Sequence, residues 1–133
     1  MQKFLTFFAL VCFGLVFFGC SPRADTGTVL GTVTLNGSPY TDAAVILLSP
    51  ATGQGGSANI DADGRFALPA PIPTGEYKVY LAPRIEETMP EEPKPVSIDQ
   101  SVPLKYWDET SSDIVIQVNQ GVNEAEVRLE SER

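Results

Sequence analysis

Two short runs carry side chains that could do chemistry. The first is Asn59-x-Asp61-x-Asp63-Gly64. Oxygen donors at alternate positions ahead of a glycine match the first half of an EF-hand loop, where hard oxygen ligands surround Ca2+. That loop needs a bidentate Glu at its twelfth position, and Ala70 stands there. The same residues also make a β-turn, in which an Asp side chain caps its own backbone and Gly64 takes positive φ. The turn is the expected reading, with Asn59, Asp61 and Asp63 kept as candidate metal ligands. The second run is Tyr106-Trp107-Asp108-Glu109. Aromatic faces beside carboxylates can stack on the apolar faces of sugar rings, so Tyr106, Trp107 and Asp108 are candidate ligand-binding residues. The expected reading instead folds this segment back as a cover over one end or side of the domain, with Pro103, Leu104 and Tyr106 supplying apolar area. A long connection needs such anchors to offset the entropy of ordering it.

Other chemistries are disfavoured by what is missing. The chain contains no His. Zinc hydrolases, Ser-His-Asp enzymes and most general acid–base designs lean on imidazole. Glu86-Glu87 and Glu91-Glu92 supply paired carboxylates, but glycosidases hold theirs at set separations in a cleft. Adjacent Glu residues between prolines read instead as a solvated acidic loop. No catalytic residue and no cofactor are expected.

The elements that must position these residues are strands. Short β-rich runs alternate with turn signals, and no stretch shows a helical period. Thr28 to Leu35 places Val29, Gly31, Val33 and Leu35 on one face, then meets Asn36-Gly37, a tight-turn dipeptide. Ala43 to Leu48 is continuously apolar, which fits a strand covered on both sides or one in a crowded core. Ser57 to Ile60 and Arg65 to Leu68 flank Asp61–Gly64 and read as a hairpin. Pro69 to Pro73, with three prolines, reads as a connection. Gly75 to Ala82 alternates, with Tyr77, Val79 and Leu81 on one side. Ile114, Ile116 and Val118 share a face, as do Ala125, Val127 and Leu129. Between them, residues 83–111 hold prolines and Glu pairs that resist pairing and burial, so this is a long acidic loop. About seven strands at regular spacing predict one all-β domain over 28–130, an antiparallel Greek-key β-sandwich.

The N-terminus carries a different message. Lys3 precedes an unbroken apolar run from Phe4 to Phe18, followed by Gly19-Cys20 and polar residues. The run is too short for a bilayer-spanning helix, which needs about 20 residues. It resembles a bacterial lipoprotein signal peptide, residues 1–19, with Cys20 as the lipid-bearing first residue of the mature chain. Phe17 and Phe18 depart from the Leu and small residue usual before such a site. The resemblance implies acylation of Cys20, a tether over 20–27, and export to the cell envelope; Ser21 after the Cys resembles outer-membrane sorting. Several acyl chains hold a protein stably where one does not. The membrane is then the first partner, and an envelope protein or a glycan the second.

Removing the leader changes the composition. Six of the seven Phe and Cys12 lie in it, so no disulfide can form within the mature chain. Lys3 goes too, which leaves eight basic residues against seventeen acidic ones. That balance argues against nucleic acid, whose binding needs phosphates neutralised by Lys and Arg.

Five pieces in order resemble the carboxypeptidase regulatory-like, or transthyretin-like, β-sandwich domains. They are the opening Gly31-Thr32-Val33-Thr34-Leu35-Asn36-Gly37-Ser38-Pro39; the strand Ala43-Ala44-Val45-Ile46-Leu47; the turn Asp61-Ala62-Asp63-Gly64-Arg65-Phe66, with Ile60 where Thr is usual; Pro73-Thr74-Gly75-Glu76-Tyr77-Lys78-Val79; and a tail through Pro103–Asp108 and Ser111–Ile114 similar to that of small exported lipoproteins. The resemblance implies a β-sandwich that serves as an accessory module rather than an enzyme. Hydroxyisourate hydrolases of this fold rely on His, which is absent. Surface sandwiches with Lys–Asn isopeptide bonds need a Lys on the first strand, and Thr28 to Leu35 has none.

Overall fold

The computed structural model describes residues 25–87, 92 and 95–131. The leader, Cys20 and most of the tether lie outside the described residues. The rest is a two-sheet β-sandwich. Nine strands run in order: β1 Thr26–Leu35, β2 Ser38–Pro39, β3 Ala44–Leu48, β4 Gly55–Asn59, β5 Arg65–Ala67, β6 Ile72–Pro73, β7 Gly75–Ala82, β8 Ile114–Val118 and β9 Gly121–Leu129. Among the described residues, a single 3-10 turn, Leu104–Trp107, interrupts the connection between β7 and β8. Seven strands are longer than two residues, and β2 and β6 are two-residue additions.

The first sheet is built around β1. On one edge β1 pairs with β9 along nine register positions, from Gly27↔Gly121 to Leu35↔Leu129. Its other edge is shared end to end by β2, β5 and β6. The second sheet has the order β4-β3-β7-β8. There β7 returns to lie beside β3 rather than β4, the non-sequential step of a Greek key. The two inner faces close on one core. Val29, Val33 and Val127 of the first sheet meet Val45, Leu47, Tyr77, Val79 and Leu81 of the second. Each large apolar side chain so buried contributes about 1.5–3 kcal/mol.

The structure departs from the sequence expectation at three places. First, β4 and β5 do not form a hairpin, although a turn joins them. The Asp61 N–H donates to the Arg65 carbonyl at 2.7 Å, and then the strands part. β4 is held by five register pairs with β3, while β5 crosses to pair with β1. Phe66 explains the crossing. It sits opposite Gly31, where the missing side chain leaves room for its ring. Second, β1 and β9 are parallel, the one exception to otherwise antiparallel pairing. The chain reverses through Asn119-Gln120 and changes sheet, so β9 runs the same way as β1. Third, Ile72 and Pro73 do more than connect: they pair with Thr26 and Gly27, and Ile72 is buried. The two readings left open for Ala43 to Leu48 are also resolved. Val45 and Leu47 enter the core, while Ile46 and Leu48 lie half-buried on the outer face.

The turn between β1 and β2 has the form the dipeptide demands. Asn36 and Gly37 have φ of 51° and 87°, both in the left-handed region.

Candidate functional site

The long connection after β7 is where the sequence candidates gather. Its start is tied to the sandwich. One Arg84 Nη1 donates to the carbonyls of Thr41 (3.0 Å) and Ile60 (2.8 Å). The Asn59 amide donates to the Ile85 carbonyl and accepts from the Ile85 N–H, at 2.9 and 2.8 Å. Glu86, Glu87 and Glu92 are exposed, and Glu91 lies outside the described residues. The second half is tied more firmly. Tyr40 donates its hydroxyl to Asp99 Oδ2 at 3.2 Å. The same carboxylate accepts from the Ser101 N–H and hydroxyl at 2.9 and 2.6 Å. Val102 and Tyr106 are buried in the core, at 1% and 4% exposure, whereas Leu104 is 71% exposed. Ser112 closes the segment by donating its hydroxyl to the Val79 carbonyl.

The aromatic pair is split by this packing. The Tyr106 ring is a core element. Its hydroxyl oxygen accepts from the Glu130 N–H at 3.3 Å, and the Lys105 ammonium lies 4.8 Å from the ring centre. Lys105 is also paired with Asp113 at 3.2 Å. Trp107 packs half-buried against the core, and its Nε1 is shielded from solvent with no hydrogen-bond partner. Asp108 is exposed, and its Oδ1 accepts from the Thr110 N–H and hydroxyl at 2.7 and 2.6 Å. These bonds from Thr110 hold the Asp108 carboxyl below the usual carboxylate range. Of the three candidate residues, Trp107 and Asp108 therefore retain access to a ligand.

The other candidate set lies across the domain edge. Asp61 Oδ1 accepts from the N–H groups of Asp63 and Arg65, each at 2.9 Å. Gly64 follows with φ of 76°. That is the self-capping turn, and it occupies one Asp61 oxygen. Asn59 is occupied by Ile85, as described. Among the described residues, no three His, Cys, Asp or Glu side chains gather in a way that could hold a metal ion.

Several anchoring groups were missed at the sequence level. Asp99-x-Ser101 and Asp108-x-Thr110 are both Asx-turn patterns, and that signal marks ordered turns within a loop. Nothing local points to the Tyr40–Asp99 or Asn59–Ile85 bonds, because their partners lie 59 and 26 positions apart.

The Tyr40–Asp99 contact has a measurable pH signature. Burial first, and the Asp99 carboxylate second, push the Tyr40 phenol well above its ordinary 10.0. An unfolded tyrosine ionises near 10 while folded Tyr40 keeps its proton. Its contribution is therefore complete below pH 10 and is lost as pH rises toward the folded value. Urea titrations across the alkaline range should show stability falling above pH 10, with a shallower fall in Tyr40→Phe. Burial raises Tyr77 and Tyr80 too, so the variant removes part of the slope only. An unchanged slope would show that the Tyr40 phenol titrates alike in both states.

The fold and this loop define an all-β, two-sheet sandwich domain with one long, anchored connection. No family model matches the chain. No curated protein matches it either. Among solved structures it is similar to the Bacillus anthracis TIE protein, at 14% identity and a TM-score of 0.48 over 80% of this chain. It is also similar to a DUF3823 family protein from Parabacteroides merdae (17% identity, TM-score 0.45, 81% of this chain). A third is BcpA, the major pilin subunit of Bacillus cereus (16% identity, TM-score 0.42, 81% of this chain). The chain spans 17%, 46% and 31% of the lengths of these three. No helix among the described residues is long and apolar enough to cross a membrane.

Proposed function

We propose that the chain is a non-catalytic, lipid-anchored module of the cell envelope, held through Cys20 and carrying a carboxypeptidase regulatory-like sandwich. The observation that carries this reading is where the tether meets the fold. Asp25 sits at the start of β1, bonded to Gln120 at one end of the sandwich. The Tyr40–Asp99 and Arg84 anchors hold the acidic loop at the far end of β1 and β7. Ten residues of strand separate the two ends, about 30 Å at ~3.3 Å per residue. A lipid on Cys20 then places the loop on the side facing away from the bilayer, where an envelope partner meets it first. The outer membrane is the favoured address from Ser21. A non-catalytic role is supported by the absence of His and by carboxylates that are engaged in turns rather than converging.

The alternative is a carbohydrate-binding module using Tyr106, Trp107 and Asp108. Its support is the ionised Asp108 next to a partly open Trp107. The buried Tyr106 ring counts against a two-ring platform. Glycans that quench Trp107 fluorescence would favour it over the envelope-protein reading.

The anchor is tested by intact mass. Protein solubilised from membranes by detergent should begin at Cys20 and carry a diacylglyceryl group. Cys20→Ala should leave an uncleaved precursor or move the domain to the soluble fraction. A mass that begins elsewhere, or unchanged lipidation and fractionation of the variant, overturns the anchor.

A further inference from the structure

The β1–β9 ladder joins strands whose free ends point in opposite directions. The start of β1 and the end of β9 lie nine register pairs apart, at opposite ends of the sandwich. Among the described residues β9 pairs with β1 alone. Tension applied at the tether and at the end of β9 must therefore pass through this ladder. Both strands lie along that axis, so tension loads all the inter-strand hydrogen bonds together, in shear. Pulling at one end would instead open them one after another. Parallel bonds are evenly spaced along the strands, which spreads the load further.

Both ends of the ladder are also clasped. At the tether end, Gln120 Nε2 donates to Asp25 Oδ1 at 2.9 Å, and Asn123 Nδ2 donates to the Thr28 carbonyl at 3.2 Å. At the far end, Asn36 Nδ2 donates to Ser131 Oγ at 2.8 Å, and the Ser131 N–H donates to Asn36 Oδ1 at 3.0 Å. The Asn36 N–H adds a bond to the Leu129 carbonyl at 2.9 Å. β1 is gripped on its other edge by β2, β5 and β6, so it cannot slide out with its partners left behind. We infer that the domain is a mechanical link: a shear clamp that holds when tension acts between the tether and the end of β9. The direction of that load rests on the anchored reading above; the clamp itself does not.

The test is single-molecule pulling of the full chain, with Cys12 and Cys20 replaced by serine, in two geometries. Handles at Ala24→Cys and Arg133→Cys load the ladder in shear. Handles at Ala24→Cys and Asn119→Cys peel it from one end and leave the Gln120–Asp25 bond in place. The expected result is a rupture force several-fold higher in shear at the same loading rate, since forced unfolding reports the barrier and not the equilibrium stability. Ser131→Ala should lower the shear force and leave the peeling force unchanged, because peeling starts at the opposite end. Equal forces in the two geometries would overturn the clamp. A chain that carries no lipid fails the mass test and leaves this ratio untouched, so the two failures are distinguishable.

Discussion

Tyr106→Ala is expected to destabilise the domain by about 3–5 kcal/mol, the range for removing a large buried aromatic ring. The ring is 4% exposed and belongs to the same core as Val79 and Leu81. Its loss leaves a cavity beneath the 3-10 turn, and the Glu130 N–H loses its acceptor. Urea denaturation monitored by Trp107 fluorescence and by far-UV circular dichroism should show a lower midpoint for both probes. Tyr106→Phe keeps the ring and should cost about 1 kcal/mol, as for one hydrogen bond. If the ring instead served as a sugar platform, Tyr106→Ala would leave the midpoint unchanged and abolish glycan binding. That pattern would remove the loop from the core.

Gly31→Ala carries the second large effect. A methyl group here would run into the Ala125 carbonyl on β9 and would come within 3.0 Å of the Phe66 ring on β5. Backbone cannot yield as a side chain can, so β1 must separate from one neighbour or the other. Overpacking of this kind costs about 1–3 kcal/mol and occasionally more. The substitution should lower the denaturation midpoint, and Phe66→Leu should relieve only the part due to the ring. A variant as stable as the parent would mean that β1 and β9 are not held at this spacing.

The alternating strands were legible because each has one wet face. Gly75 to Ala82 and the run to Leu129 could be read residue by residue, and Tyr77, Val79, Leu81, Val127 and Leu129 are in the core as their spacing demands. The Asp61–Gly64 turn was legible for the same local reason. Its partners were not. Whether the strand after a turn folds back or crosses to the other sheet depends on Phe66 fitting against Gly31, and these lie far apart in sequence. The parallel direction of β9 likewise follows from the change of sheet at Asn119-Gln120, which leaves no periodic trace. In the loop, the prolines and Glu pairs announced irregular structure correctly. They hid Val102, an isolated apolar residue with no repeat to betray it, whereas Tyr106, read from the sequence as part of a cover, is buried in the core. Leu104, read from the sequence as part of the same cover, faces solvent instead, because the tight 3-10 turn can aim only one of its sides inward.

The makeshift edge of the first sheet has a consequence for how copies tolerate crowding. Strand edges recruit other strands when they are long, flat and unpaired. Here one edge is divided among β2, β5 and β6, of two, three and two residues, and Pro39 and Pro73 lack the donor that an incoming strand needs. The opposite edge, β9, is long but sets Glu124, Glu126 and Arg128 on its outer face. Crowded copies are therefore kept from adding strands at the divided border, and β9, paired with β1 alone among the described residues, remains the edge of this sheet open to another strand.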